Sequence, residues 1–218
     1  MQAKAYKGIG MEGGVARWYD KTTRRDLPEF KALARRVADT LVSGAKVLEI
    51  APGPGFFAIE LAKIGKYQIT GLDISKTFVD IAKRNARQEH VAVDFRQGNA
   101  SAIPLPEGSF DFVLCRAAFK NFSDPVGALR EMRRVLKPEG RALVIDLRKD
   151  VGKKSLDGYI RGLKAGALNA FMMKWTFRLM LIPRAYTKQQ FQNFIVESGF
   201  VKSEIQETPI GFEITLVK

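Results

Sequence analysis

The sequence holds one cysteine, Cys115, and one histidine, His90, among 218 residues. A single cysteine excludes an internal disulfide framework and a cysteine-rich metal centre. No metal-ligand set is therefore expected, and a reducing, cytoplasmic setting is. The lone histidine leaves the commonest general base in short supply, and it falls where a surface helix meets a strand, so a structural or solvent-exposed role is expected for it. Long apolar runs are also missing. The most apolar stretch, 168–183, is interrupted by Lys174 and Arg178 and is shorter than the ~20 residues that span a bilayer. The first residues, MQAKAYKGIGMEGG, contain no apolar core of signal-peptide length. No Gly-Lys-Ser/Thr occurs, which excludes a triphosphate-binding P-loop.

What the chain does have is apolar content of 46%, enough to build the core of one domain. Its formal charge is +13, with basic residues outnumbering acidic ones in every third of the chain and no basic run longer than two. That spread suits a solvated basic surface better than a nucleic-acid arm. The exception is 153–184, where Lys153, Lys154, Arg161, Lys164, Lys174, Arg178 and Arg184 stand against Asp157 alone.

Residues 15–42 read as one or two helices, with Pro28 in a first turn. From residue 46, short apolar runs alternate with helical periodicity. Strands are expected at 46–50, 67–73, 91–97, 110–115 and 141–147, with helices at 56–63, 76–88 and 125–135 between them. Alternation of this kind implies right-handed βαβ units and a parallel sheet covered on both faces. It stops after 150. A segment rich in Gly, Met, Phe and Trp follows, then a helix at 188–198 and strands at 201–206 and 212–217. The expected fold is α/β: a Rossmann-like, seven-stranded, mostly parallel sheet flanked by helices. N-terminal helices and a helical cap inserted after strand five complete it.

The stretch Glu49-Ile-Ala51-Pro-Gly53-Pro-Gly55-Phe-Phe-Ala58 joins the first strand to the first helix of the sheet. It fits the loose G-x-G-x-x-G/A pattern, with Asp73 at the end of the second strand, so a dinucleotide is admissible on spacing alone. Pyrophosphate binding, however, wants free N–H groups and no negative charge. Pro52 and Pro54 remove two donors, and Glu49 adds a carboxylate. A ligand carrying an ammonium and a sulfonium would find this turn favourable where an anion would not.

The segment 44–150 resembles the class I S-adenosylmethionine-dependent methyltransferases. Glu49 through Gly55 is similar to their first motif, an acid followed by closely spaced glycines, with Ala51 standing where glycine is usual. Gly71-Leu-Asp73-Ile74-Ser75 resembles the second motif, whose acid holds the ribose. Gly98-Asn99-Ala100 and the run to Asp111 resemble the adenine-side segment, and 128–140 the helix and entry to strand five. The resemblance implies S-adenosyl-L-methionine held by Glu49, Ala51, Gly53, Gly55, Asp73, Ile74, Asn99 and Ala100, with Cys115 lining the site. The nearest branch is that of the ubiquinone and menaquinone C-methyltransferases and their small-molecule relatives. Trp18-Tyr19-Asp20 resembles the aromatic–aspartate element that folds over the cofactor there, and Arg116 through Asp124 the stretch after strand four.

On this reading 1–218 is a single methyltransferase domain: an N-terminal helical lid (1–44), a cofactor-binding core (45–150), a cap insertion (151–187), and a closing helix and strands (188–218). Tyr19 and Arg116 are expected at the transfer site, Tyr19 also against the cofactor. Arg116 and Lys120 either hold an anionic or phenolate substrate or neutralise Asp124 and Glu131. Gly158, Gly162, Gly166 and Ala170 recur every four residues and suggest a close-packing helix face, as in a hinged lid or subunit contact. Phe171, Met172, Trp175 and Leu179 form an apolar stripe, read as a cap over a partly apolar small-molecule substrate. Its basic residues suit an anionic lipid surface or an acidic substrate, and a homodimer is admissible. A nucleic-acid methyltransferase, an NAD-binding oxidoreductase and a non-catalytic cofactor-binding protein are the alternatives.

Overall fold

The apolar runs become the inner strands of one sheet. In a computed structural model describing residues 6, 7, 10–163 and 166–218, β1 (Lys46–Ile50), β2 (Gln68–Asp73), β3 (Asp94–Gln97), β4 (Phe110–Arg116) and β5 (Leu136–Leu147) pair in parallel. β6 (Lys202–Glu207) and β7 (Gly211–Val217) close the sheet antiparallel to β5. The order β3-β2-β1-β4-β5-β7-β6 reverses direction between β1 and β4. In open α/β sheets, the crevice at the C-terminal ends of the strands flanking such a reversal is where ligands bind.

The eight helices among the described residues are α1 (Gly13–Thr23), α2 (Leu27–Ala38), α3 (Phe56–Ile64), α4 (Lys76–Gln88), α5 (Pro125–Val135), α6 (Lys153–Gly162), α7 (Ala167–Thr176) and α8 (Lys188–Ser198). Strand residues alternate between two cores, as a period of two requires. Val47, Phe112 and Leu114 pack beneath α2, α3 and α4. Leu48, Ile50, Val113 and Val144 pack on the other face, beneath α5 and α8. Caps fix where helices start: Ser75 Oγ accepts from Phe78 N–H at 3.1 Å, Asp124 from Gly127 N–H at 2.8 Å, and Thr187 closes a capping box with Gln190. Each cap is worth about 1 kcal/mol.

Three expectations need correction. Strand five starts at Leu136, not residue 141, because Leu136 pairs with Phe110 ahead of a break in register. The third strand begins at Asp94, not residue 91, because Val91 N–H is used to close α4 on Ala86 O at 3.1 Å. His90 sits in the left-handed region at φ +55° in that C-terminal turn, a place glycine usually takes.

The glycine repeat does not form one close-packed face. α6 ends at Gly162 and α7 starts at Ala167, and a methyl group placed on Gly158, Gly162 or Gly166 meets nothing within 4 Å. α7 runs on into a π-helical turn, Phe177–Leu181, and a 3-10 turn, Ile182–Arg184. Lys164 lies outside the described residues. Among those described, no helix is long and apolar enough to cross a membrane.

Candidate functional site

The turn after β1 uses up its own donors. Ala51 enters it at φ +55° and donates its N–H to Leu72 O at 2.8 Å. Gly53 (φ +55°) donates to Asp73 Oδ2 at 3.0 Å, and Gly55 (φ +82°) to Pro52 O at 3.0 Å. A Cβ on Gly55 would lie 2.7 Å from Phe95 Cζ, so that position excludes a side chain by both conformation and space. Pro52 and Pro54 carry no N–H. At the start of α3, Ala58 N–H donates to Glu49 Oε2 at 3.2 Å. A carboxylate thus already occupies the helix N-terminus where a phosphate would otherwise bind.

Burial makes these acids unusual. Glu49 and Asp73 are both buried, and neither forms an ion pair among the described residues. Burial pushes the Glu49 carboxyl up to about 8, partly offset by the Ala58 N–H and the nearby Arg116 charge. It pushes Asp73 up to about 6 against the N–H groups of Ser75 and Gly53. Low dielectric disfavours an uncompensated charge, and a cation bound beside these groups would reverse that penalty. Asp73 accepts one N–H on each oxygen, from Gly53 and from Ser75 at 2.9 Å, which leaves lone pairs for hydroxyl donors.

Beside Asp73, Ile74 is exposed, and its carbonyl accepts from the Gln97 amide at 3.1 Å. Asn99 Oδ1 accepts from Ser101 N–H at 3.0 Å, and Ala100 is buried beneath. α1 lies against the turn: the Tyr19 ring comes within 3.9 Å of the point where Gly53 would carry a Cβ, and meets Phe78 edge-on at 5.7 Å. Burial raises the Tyr19 phenol above its ordinary value, with Arg116 acting in the opposite direction.

Several supporting residues escaped the sequence reading. Asn85 Nδ2 donates to both Asp20 Oδ1 (3.1 Å) and Pro54 O (3.0 Å), tying α1 and the turn to α4. Its signal was available, since it is a polar residue in the buried stripe Ile81, Ala82, Asn85, Ala86. Glu12 holds the first N–H groups of α4, from Lys76 and Thr77, at 3.0 and 3.1 Å. Tyr6 bridges to Phe122 and lies within electrostatic reach of Asp73 and Arg184. Nothing in the local sequence marks either role.

At the end of β4 the expectations divide. Arg116 binds Glu29 at 2.9 Å and stacks over Phe30 at 4.3 Å, rather than meeting Asp124 or Glu131. Lys120 is corrected: at 4% exposure its ammonium binds Asp146 Oδ1 at 3.0 Å and Ala117 O, so it cannot present its charge to a substrate. Asp124 caps α5, and Glu131 binds Arg134 at 2.7 Å. Cys115 is fully buried, and burial lifts its thiol well above the ordinary range, so it is no nucleophile. On α6, burial raises the Tyr159 phenol above its ordinary value, with Glu29 and Asp26 acting in the same direction and Arg116 in the opposite one. The stripe on α7 does not enclose a pocket: Phe171 is 68% and Trp175 55% exposed.

Residues 48–144 match the family described as a methyltransferase domain. A demethylmenaquinone methyltransferase of Thermotoga maritima is 30% identical over 194 residues, covering 83% of this chain and 80% of that protein. One from Deinococcus radiodurans is 38% identical over 105 residues, 48% of this chain and 44% of that relative, so the chain spans under half its length. The fold is shared with a Methanococcus maripaludis protein assigned as an S-adenosyl-L-methionine-dependent methyltransferase. That structure superposes with a TM-score of 0.76 at 22% identity, over 99% of this chain and 97% of the other. The chain belongs to the class I S-adenosylmethionine-dependent methyltransferases, on the branch of the quinone C-methyltransferases.

Proposed function

We propose that this chain transfers the methyl group of S-adenosyl-L-methionine to a small, partly apolar acceptor, for which a quinol-type ring is the first candidate. The observation that carries the reading is the pair of buried carboxylates, Glu49 and Asp73, at a turn whose N–H groups are already engaged. That arrangement offers pyrophosphate no free N–H donors, and a cationic nucleoside would stabilise the ionised form of both carboxylates. The names of the Thermotoga and Deinococcus relatives support a quinone ring as acceptor.

When bound, the cofactor supplies a methyl group already activated on a sulfonium, so the protein contributes alignment and exclusion of water. Asp73 would accept from the ribose hydroxyls, and Glu49 would orient the cationic end through the turn. Gly53 and Gly55 let the backbone approach. Ile74, Asn99 and Ala100 would border the base, with Cys115 a neutral residue behind them, and Tyr19 would lie over the reacting end. Arg116, held by Glu29, keeps a fixed positive charge there that lowers the cost of an acceptor losing its proton.

Titration calorimetry with S-adenosylmethionine and with NADH tests the cofactor, and labelled-methyl transfer to quinols, phenols, amines, thiols and RNA tests the acceptor. Binding of the sulfonium ligand, and a roughly 10- to 100-fold weaker complex in Glu49→Gln, are expected, as for loss of a hydrogen bond to a charged group. Binding of NADH alone would overturn the reading. Tight binding without transfer to any acceptor would leave a cofactor-binding protein in place of an enzyme.

A further inference from the structure

We infer that the outer face of α7 and its π-helical extension is a docking surface for a lipid bilayer carrying anionic headgroups. Phe171, Met172, Trp175 and Leu179 are all exposed and follow helical spacing, with Met180 continuing the face. An apolar face of this size on a surface helix indicates a contact partner rather than water. The charge around it names the partner. Lys153, Lys154 and Arg161 on α6 are exposed and form no ion pair among the described residues. Lys174 and Arg178 share the segment's one acid, Asp157, at 2.7 and 4.0 Å.

Aromatic and long aliphatic side chains beside unpaired lysine and arginine form the pattern of a helix lying in a membrane interface. A second copy of this chain would bring the same positive excess to the same face and be repelled. The face lies on the segment that leaves β5 at the C-terminal edge of the sheet, the edge where Asp73 and Arg116 also end their strands. Docking therefore brings the ligand-binding end of the sheet towards the lipid. The inference does not depend on which acceptor is methylated, or on methylation itself.

The chain has two tryptophans, Trp18 and Trp175, so Trp18→Phe leaves a reporter on the proposed face. The test uses vesicles of phosphatidylcholine alone and vesicles with roughly one-third phosphatidylglycerol. Only the anionic vesicles are expected to sediment the protein, shift the Trp175 emission to the blue and, when brominated, quench it. Binding should weaken at least ~10-fold in Lys153→Glu/Lys154→Glu and in Phe171→Ser/Leu179→Ser, and on raising salt to about 0.5 M. All four substituted side chains are solvent-exposed, and circular dichroism of each variant is the control for folding. Absence of binding to anionic vesicles would overturn the inference. So would binding that both double variants retain, or a concentration-dependent dimer that buries Trp175 without lipid.

Discussion

Ala51 is the one residue of the glycine turn that works against its own backbone. It stands at φ +55°, in the left-handed region, where the family usually has glycine. A residue with a Cβ gives up about 1–2 kcal/mol there, whereas glycine costs ~0.4–1 kcal/mol through its freer unfolded chain. The first term is the larger, so Ala51→Gly is expected to stabilise the protein by up to about 1 kcal/mol. Ala51→Val, branched at Cβ, should destabilise it by more than that. Urea unfolding of the three proteins decides the point, and a less stable glycine variant would mean that the Ala51 methyl contact with the Leu48–Ile50 core outweighs the strain.

Between elements, the buried pair of Lys120 and Asp146 ties the loop after β4 to β5. Asp146 receives both the backbone N–H of Lys120 at 2.8 Å and its ammonium at 3.0 Å, so the loop after β4 is fastened to β5. Removing one partner leaves a buried charge uncompensated, which costs roughly 3–5 kcal/mol. Lys120→Met should lower stability by that order, while Lys120→Met/Asp146→Asn should recover part of the loss. Denaturant unfolding of the double-mutant cycle reads the coupling directly, and strictly additive effects would show that the pair is not the fastening.

This tie also marks how far the sequence could be read. Elements whose signal is local were legible: 46–50, 76–88, 125–135 and 188–198 coincide with β1, α4, α5 and α8. The convergence of Glu49, the glycines and Asp73 on one turn was legible too, because strand, turn and strand end fix their register. Lys120 was not, since its partner lies on another strand and only the sheet order brings them together. The α7 stripe was visible as periodicity, but periodicity cannot say whether an apolar face meets a core, a pocket or solvent.

At the scale of the whole molecule, the two site carboxylates set how stability depends on pH. Glu49 titrates at about 8 in the folded chain against an ordinary 4.5, and Asp73 at about 6 against 3.8. A folded-state value raised above the unfolded one means that the folded protein holds the proton more tightly. The resulting stability is full below the unfolded values and is lost as pH rises through the folded ones. The chain without cofactor should therefore lose stability from about pH 4 upward, through Asp73 until about pH 6 and through Glu49 until about pH 8, at up to ~1.4 kcal/mol per unit for each group. The paired acids Asp111, Glu131, Asp150 and Glu207 have lowered values, so their effect falls in a more acid window. Easing of the net positive charge with rising pH acts in the opposite direction, but equally in a Glu49→Gln variant, which cancels it by difference. Thermal unfolding from pH 5 to 8 should show the native chain falling relative to Glu49→Gln, with the variant more stable at pH 8. Added S-adenosylmethionine should raise the native melting temperature more at pH 8 than at pH 5, and raise the variant's less at both. Parallel curves for the two chains would mean that Glu49 is already ionised without a ligand, and that its charge is compensated from within the protein. If they diverge as expected, the instability that burial of Glu49 imposes on the cofactor-free chain is the same free energy that favours a cation beside it.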